Sequence, residues 1–359
     1  MHIGGREIKP KGEPYIIAEL GVNHDGSAAC AVELARAAAE AGVDAIKLQH
    51  FEARRLMSSA SRLAAYQAAA GETDPVEMLA RLELPLAAMR EVIEIAHERG
   101  IHAIVTVFSD SLVEASNELP WDAYKTASPD IINRPLLNEL LLTQRPVIVS
   151  TGASTLSEVG RALTWMKEAR DRLAVLQCVS SYPTSIEHAE LGGIAAIADI
   201  FPGPVGYSDH TPDVHTGMEA VSRGACILEK HFTLDRNAKG PDHAASLGPA
   251  QMKEYVSLAR EAVQQLEASR KYGSPTTFSR RPVEAVKRVL EIEQDVRRVS
   301  RQSLVTARDL AAGHLLTRGD LVIKRPGTGI EPWKLDEVLG KQLTQNVAAD
   351  QPLPHGAVG

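Results

Sequence analysis

Cysteine is scarce in this chain and follows no pattern. Among 359 residues there are three, Cys30, Cys178 and Cys226. An odd number, scattered through apolar segments, excludes a disulfide framework and points to buried free thiols in a reducing compartment. Long apolar runs are missing too. None approaches the ~20 residues that span a bilayer, and the opening MHIGGREIKPKGEPY has no apolar signal core. The expectation is a soluble, cytoplasmic protein. Positive charge is not in excess, and a net charge of −7 excludes a dominant nucleic-acid surface. No G-x-G-x-x-G turn follows the first strand-like stretch, which disfavours an open dinucleotide-binding sheet. No tight cluster of thiolates, carboxylates and imidazoles is present either, which argues against a closed structural zinc site.

What is present is an apolar fraction of 44% and a repeating pattern. Tyr15–Leu20 reads as a strand, GVNHDG as a loop, and Ser27 caps a helix that stops at Gly42. The strand–loop–helix unit then recurs. Strands are expected at Val43–Gln49, Ile101–Phe108, Ala123–Thr126, Pro146–Ser150, Leu173–Val179, Val205–Tyr207 and Ala225–Leu228, with a last helix over Met252–Leu266. Eight strands alternating with helices over about 270 residues predict a (β/α)8 TIM barrel, an α/β fold. Phe51–Pro85 is a long insertion after the second strand and a candidate lid or selectivity loop. After Ser274 the pattern breaks. The expected division is a barrel over 1–273, a linker over 274–299 opening on the polar SPTTFSRRP, and a small domain over 300–359, too small for a large core and expected to lean on a partner surface.

The stretch from Pro204 to Leu247 organises the chemistry. It sets His210 and His231 at the ends of two consecutive strands, which lie side by side on the face where such barrels place their sites. Two readings stand: a pair of imidazole ligands in an open metal site, or two hydrogen-bonding residues. The other strand ends add Glu19, Asn23, His24, Lys47, Gln49, Thr106, Ser109, Lys125, Ser128, Asp130, Ser150, Thr151, Ser180, Ser181, Tyr182, Ser208, Lys230 and Asp242. Lysines inside apolar strands are costly unless paired. Lys47 and Lys125 therefore either pair with buried carboxylates or, with the hydroxyls around them, face an anionic substrate such as a phosphate. A Schiff-base lysine is a third reading.

The segments IIAELGVNHDGS, DAIKLQHF, YKTASPD, STGAST, QCVSSYPTS, GYSDHT and LEKHFTLDRNAKGPDHAAS resemble the sialic acid synthase family in that family's order. The C-terminal SLVTARDLAAGHLL, LVIKRPGTGI and LGK resemble its antifreeze-like SAF domain. The resemblance implies an enzyme that condenses phosphoenolpyruvate with an N-acylated mannosamine-type sugar, using Mn²⁺ or Mg²⁺, as a domain-swapped homodimer. It implies His210 and His231 as metal ligands, and Lys47, Thr106, Lys125, Ser128, Ser150, Ser180 and Ser208 as phosphoenolpyruvate contacts. Gln49, Tyr182 and Asp242 fall near the sugar. Glu19, Asp130 and Asp242 fall to acid–base work, and Arg325 is implied as the partner chain's contribution to the sugar's acyl group. Gln177, Val107, Asp130 and Ser180 depart from common family residues and leave the sugar open. A sugar phosphate, a diacetamido hexose, or non-catalytic carbohydrate binding are the competing expectations.

Overall fold

The computed structural model describes residues 1–276 and 283–359. Eight parallel strands close into a barrel: β1 (Tyr15–Gly21), β2 (Ala45–His50), β3 (His102–Val107), β4 (Ala123–Thr126), β5 (Val147–Ser150), β6 (Leu173–Cys178), β7 (Val205–Asp209) and β8 (Ile227–His231). Sequence neighbours are barrel neighbours, and β8 returns to pair with β1, Ile227 opposite Tyr15 and His231 opposite Glu19. The outer ring is α1 (Ala28–Glu40), α2 (Leu86–Glu98), α3 (Val113–Asn117), α4 (Arg134–Leu142), α5 (Leu156–Trp165), α6 (Gly192–Ala198), α7 (Thr216–Ser222) and α8 (Pro249–Tyr272).

Strand alternation explains the layering. In β1, Ile16, Ala18 and Leu20 point out into the helical shell, while Tyr15 and Ile17 point in, beside Ala45, Ile104, Ala123, Ile148, Ala174 and Ile227. Ile3 and Ile8, from a short N-terminal hairpin and the residue after it, complete this dry lower layer. Two residues further along the same strands the inward positions turn polar: Glu19, Lys47, Thr106, Lys125, Ser150 and Glu229. The barrel is thus an apolar plug below and a polar floor above.

The polar floor also explains where the strands outrun their expected ends. β7 continues to Asp209 and β8 through Glu229, Lys230 and His231, because these polar residues find partners on both faces of the barrel wall and need not leave the sheet. Lys230 is corrected by this register. It lies between the inward residues Glu229 and His231 and points out of the barrel. There its Nζ stands 2.8 Å from Asp209 Oδ2, both groups fully buried, and 5.2 Å from the Tyr255 ring centre. It is a structural lysine. α8 is longer than expected, starting at a proline in its first turn and ending at Gly273, whose φ of 68° closes the helix in the left-handed region.

The insertion forms three short helices, Ala53–Leu56, Ala65–Ala69 and Pro75–Leu82. Of the expected linker, residues 277–282 lie outside the described residues. Beyond them the chain runs against the barrel mouth and forms a helix at Gln294–Ser300. The C-terminal domain pairs β9 (Ser303–Thr306) with β10 (Leu321–Lys324) antiparallel. It has its own small core, including Leu304, Leu316, Ile323 and Leu353. Within this single chain it leans on the barrel. Trp333 packs against Trp165 of α5 at 6.4 Å between ring centres, and Gln302 Nε2 donates to Phe108 O at 3.0 Å.

Removing one member of a buried ion pair leaves the other charge unsolvated. Lys230→Met should therefore destabilise the chain by about 3–5 kcal/mol in urea unfolding, while the folded fraction keeps an unaltered site. An unchanged unfolding midpoint would contradict the assignment.

Candidate active site

The floor of the pocket is a ring of paired charges. Lys47 Nζ lies 2.6 Å from Glu19 Oε2 and donates to Thr106 Oγ1 at 2.9 Å. Lys125 Nζ lies 3.2 Å from Glu229 Oε1, which also accepts from Ser208 Oγ at 2.9 Å. Gln49 Nε2 donates to Glu19 Oε1 at 2.7 Å. Both lysines are thus paired with buried carboxylates, one of the alternatives from sequence, and they line the pocket as well. Burial would pull the Lys47 ammonium down, but Glu19 and Glu229 raise it, so it stays charged. Burial alone would raise Glu229; Lys125 and Lys47 instead hold it at about 2. Burial, reinforced by Glu229, pushes Glu19 up against the pull of Lys47. Two carboxylates on one floor are thereby driven apart, Glu229 a firm anion and Glu19 the one that protonates more readily.

Beside Lys125 stands a patch of hydroxyls. Ser128 Oγ donates to Ser150 Oγ at 3.0 Å and accepts from the Gly152 N–H at 2.9 Å. Gly152 has to be glycine here, since a Cβ would sit 2.2 Å from Ser180 Oγ and 2.8 Å from Ser128 Oγ. Hydroxyls and a backbone N–H around an ammonium are suited to an anion's oxygens.

At the rim, the His210 and His231 rings lie 5.5 Å apart, with the Tyr182 ring packed at a tilt 4.1 Å from His210. His210 Nδ1 lies 2.7 Å from Val179 O and donates there, which leaves Nε2 with the lone pair. His231 Nδ1 is buried without a hydrogen-bond partner, 3.8 Å from Asp242 Oδ2. Burial, together with His210, holds His231 neutral, well below the ordinary imidazole range. Burial would lower His210, but Cys178, whose Sγ lies 3.7 Å from its Nδ1, raises it instead. In their neutral forms two imidazole nitrogens beside a carboxylate suit a divalent cation that keeps open positions. Among the described residues no group of three or more His, Cys, Asp or Glu is placed to hold a metal ion, so His210 and His231 are the two side chains that would hold one. Burial, then Glu19, raise Asp242 to about 6.

The wall above the floor is apolar. Phe51, Leu56, Met78, Leu79 and Leu82 of the insertion join Val22 and Phe108, and Tyr66 packs at a tilt against Tyr182 at 5.0 Å. Arg325 reaches in from the C-terminal domain, its guanidinium 5.7 Å from the Phe108 ring centre. Its backbone is pinned by the insertion: Arg325 N–H donates to Leu56 O at 2.8 Å, and Ser58 and Ser61 hydroxyls donate to Arg325 O at 2.6 and 2.9 Å. Within this single chain Arg325 enters the chain's own pocket.

All the residues singled out by the resemblance line this pocket except Asp130. That carboxylate sits buried behind the lining; burial raises it to about 7 against the pull of Arg325 and Lys125. Several strand-end residues are structural. Asn23 Nδ2 donates to Phe232 O and Ser246 Oγ, His24 Nδ1 accepts from the Gly26 N–H, and Thr151 Oγ1 donates to Leu176 O. Ser109 and Ser181 also stand outside the lining. Gln177 and Val107 lie on outward strand positions, Gln177 donating to Glu190 O and Val107 packed in the helical shell, so these departures bear on packing and not on the sugar. Glu229 was missed. Its signal was present, since a residue two before His231 in a strand must share its face.

A (β/α)8 barrel with paired charges, hydroxyls and imidazoles at the C-terminal ends of its strands is an enzyme of the TIM-barrel class. The chain belongs to the NeuB family, whose model matches residues 34–271, with the SAF domain model matching residues 301–357. With that family it is a synthase of the sialic acid type. It is 36% identical over 352 residues to the N,N'-diacetyllegionaminic acid synthase of Legionella pneumophila, covering 95% of this chain and 94% of that one. It is 34% identical over 341 residues to the N,N'-diacetyllegionaminic acid synthase of Campylobacter jejuni, covering 94% and 97%. The crystal structure of the spore coat polysaccharide biosynthesis protein spsE from Bacillus subtilis matches with a TM-score of 0.85 and 27% identity, over 100% of this chain and 99% of that one.

If the floor is an anion site, Lys125→Met should weaken binding of inorganic phosphate about tenfold or more, measured by calorimetry, while Lys230→Met leaves it unchanged. Equal affinity in the Lys125 variant and the wild type would remove Lys125 from the site.

Proposed function

We propose that the chain condenses phosphoenolpyruvate with an N-acylated mannosamine-type sugar that carries a second acylamino group, giving a nine-carbon 2-keto acid and phosphate. The observation that carries this reading is the contrast within one pocket, a charged, hydroxyl-lined floor under an apolar wall. The floor takes the phosphate and carboxylate of phosphoenolpyruvate on Lys47, Lys125 and the serines. The wall has room for methyl groups of acyl substituents, with Arg325 able to donate to an acyl oxygen and Tyr182 beside the sugar. Among the described residues lining the wall, Arg325 is the only lysine or arginine. A sugar phosphate would bring a dianion to an apolar surface with little to neutralise it. The legionaminic acid synthases among the relatives agree with the diacetamido reading.

The bonds balance simply. The enol carbon of phosphoenolpyruvate attacks the sugar aldehyde, water adds at C2, and phosphate leaves by C–O cleavage. A divalent cation, Mn²⁺ or Mg²⁺, held by His210 and His231 would supply Lewis-acid polarisation of the aldehyde. Glu19 and Asp242, both raised, are placed to move protons to the new alkoxide and from the added water, and Asp130 acts through Arg325 and Lys125. Lys47 and Lys125 stabilise the departing phosphate.

Phosphate release should require Mn²⁺ or Mg²⁺ and stop in chelator. A diacetamido hexose should be used at least about tenfold better than N-acetylmannosamine, and N-acetylmannosamine 6-phosphate not measurably. Preference for the phosphate ester would overturn the choice of sugar, and full activity of a His210→Ala, His231→Ala double variant in chelator would overturn the metal site.

We also propose that two copies exchange C-terminal domains, so that each Arg325 serves the other barrel through the contacts made here within one chain. Mixing Arg325→Ala with His231→Ala chains should then recover activity in verified heterodimers, which regain one whole site. No recovery would assign Arg325 to its own barrel.

A further inference from the structure

The segment that reads as a spacer in the sequence carries a fully buried carboxylate. Glu293 is 0% exposed, and its Oε1 accepts two backbone N–H groups, from Ala153 at 2.6 Å and from Ser180 at 2.8 Å. These belong to the loops after β5 and β6. Its Oε2 accepts the Leu290 N–H at 2.9 Å, which fixes the carboxylate to its own segment. Ala153 has a φ of +50°, a left-handed conformation that a residue with a Cβ adopts only when held. The segment holds it at both ends: the N–H by Glu293, the carbonyl by Arg297 and Arg301. Lys287, from the same segment, donates to Cys178 O at 3.2 Å at the end of β6.

What these contacts position is the hydroxyl patch. Ala153 follows Gly152, whose N–H points at Ser128 Oγ, and Ser180 carries the hydroxyl packed against Gly152. One carboxylate oxygen therefore sets the distance between the two loops that bear Ser150, Gly152 and Ser180. We propose that Glu293 is a positioning residue for the anion half of the site, holding the loops after β5 and β6 at the spacing that phosphoenolpyruvate's phosphate requires. Without docked residues 287–301 the Ala153 and Ser180 N–H groups lose their common acceptor, the loops separate, and Ser128, Ser150 and Ser180 no longer converge. This rests on the reading that the hydroxyl patch receives that phosphate.

The test compares Glu293→Ala with Glu293→Gln. Gln keeps one acceptor oxygen for the two N–H groups, so its effect should be the smaller. In the Ala variant the KM for phosphoenolpyruvate should rise about tenfold, the factor that goes with one lost charge-assisted hydrogen bond. The KM for the sugar and kcat should change less than about threefold. Inorganic phosphate, titrated calorimetrically, should lose affinity in the same proportion, a readout that needs no turnover. Wild-type protein that binds phosphate but does not consume phosphoenolpyruvate would sink the synthase reading and leave the phosphate ratio to decide this one. A lower melting temperature with unchanged KM and unchanged phosphate affinity in both variants would overturn it, as would wild-type protein that binds no phosphate.

Discussion

Two lysine–glutamate pairs set across the inside of the barrel are the constraint on which the rest of the site depends. A charge taken out of water in a barrel interior is strongly unfavourable alone, and a pair is tolerated when geometry and extra hydrogen bonds complete it. Glu19 with Lys47 and Glu229 with Lys125 approach that condition, with Gln49, Thr106 and Ser208 adding hydrogen bonds while Glu229 Oε2 stays without a hydrogen-bond partner. The four charges cancel, so the floor is stable without a ligand and yet presents two ammonium groups to one. The dry layer of Ile17, Ile104, Ile148 and Ile227 beneath keeps water from the pairs from below.

The barrel was legible because its signals are local: apolar runs, helix caps and stops recurring at a regular interval. The site was legible where residue type and strand end coincide, as for Lys47, Lys125, His210 and His231. What failed was direction. A list of residues near a strand end mixes inward and outward positions, and Lys230 entered it while Glu229 did not, although counting by two from His231 separates them. The same count sets Gln177 and Val107 outside. Asn23 and His24 failed differently. Their loop turns back on the barrel, and only the fold places Phe232, Ser246 and Gly26 beside them.

Contacts between segments remote in sequence were not legible at all. The insertion, the segment after 283 and the C-terminal domain form one cap. Asp295 receives Arg62 and the Ala65 N–H, and Asp350 receives the Ser59 N–H. Val296 and Val299 pack with Ala64 and Tyr66. Each residue alone reads as a solvated polar side chain or a modest apolar position. Only their convergence makes the apolar wall a closed surface, with Tyr66 carried onto Tyr182 and Arg325 carried over Phe108.

The order of these parts along the chain has a consequence for biosynthesis. A barrel whose last strand ends at His231 and whose last helix ends at Tyr272 can collapse while the rest of the polypeptide is still being translated, since domains fold as units from the N-terminus. At that moment it already has its lysines and histidines, but Glu293 and Arg325 do not yet exist. The nascent barrel is an open bowl whose loops after β5 and β6 have not yet met Glu293. With the roles proposed for Glu293 and Arg325, the pocket is completed only by the final stretch of translation, and a prematurely terminated product would lack both the clamp and the arginine.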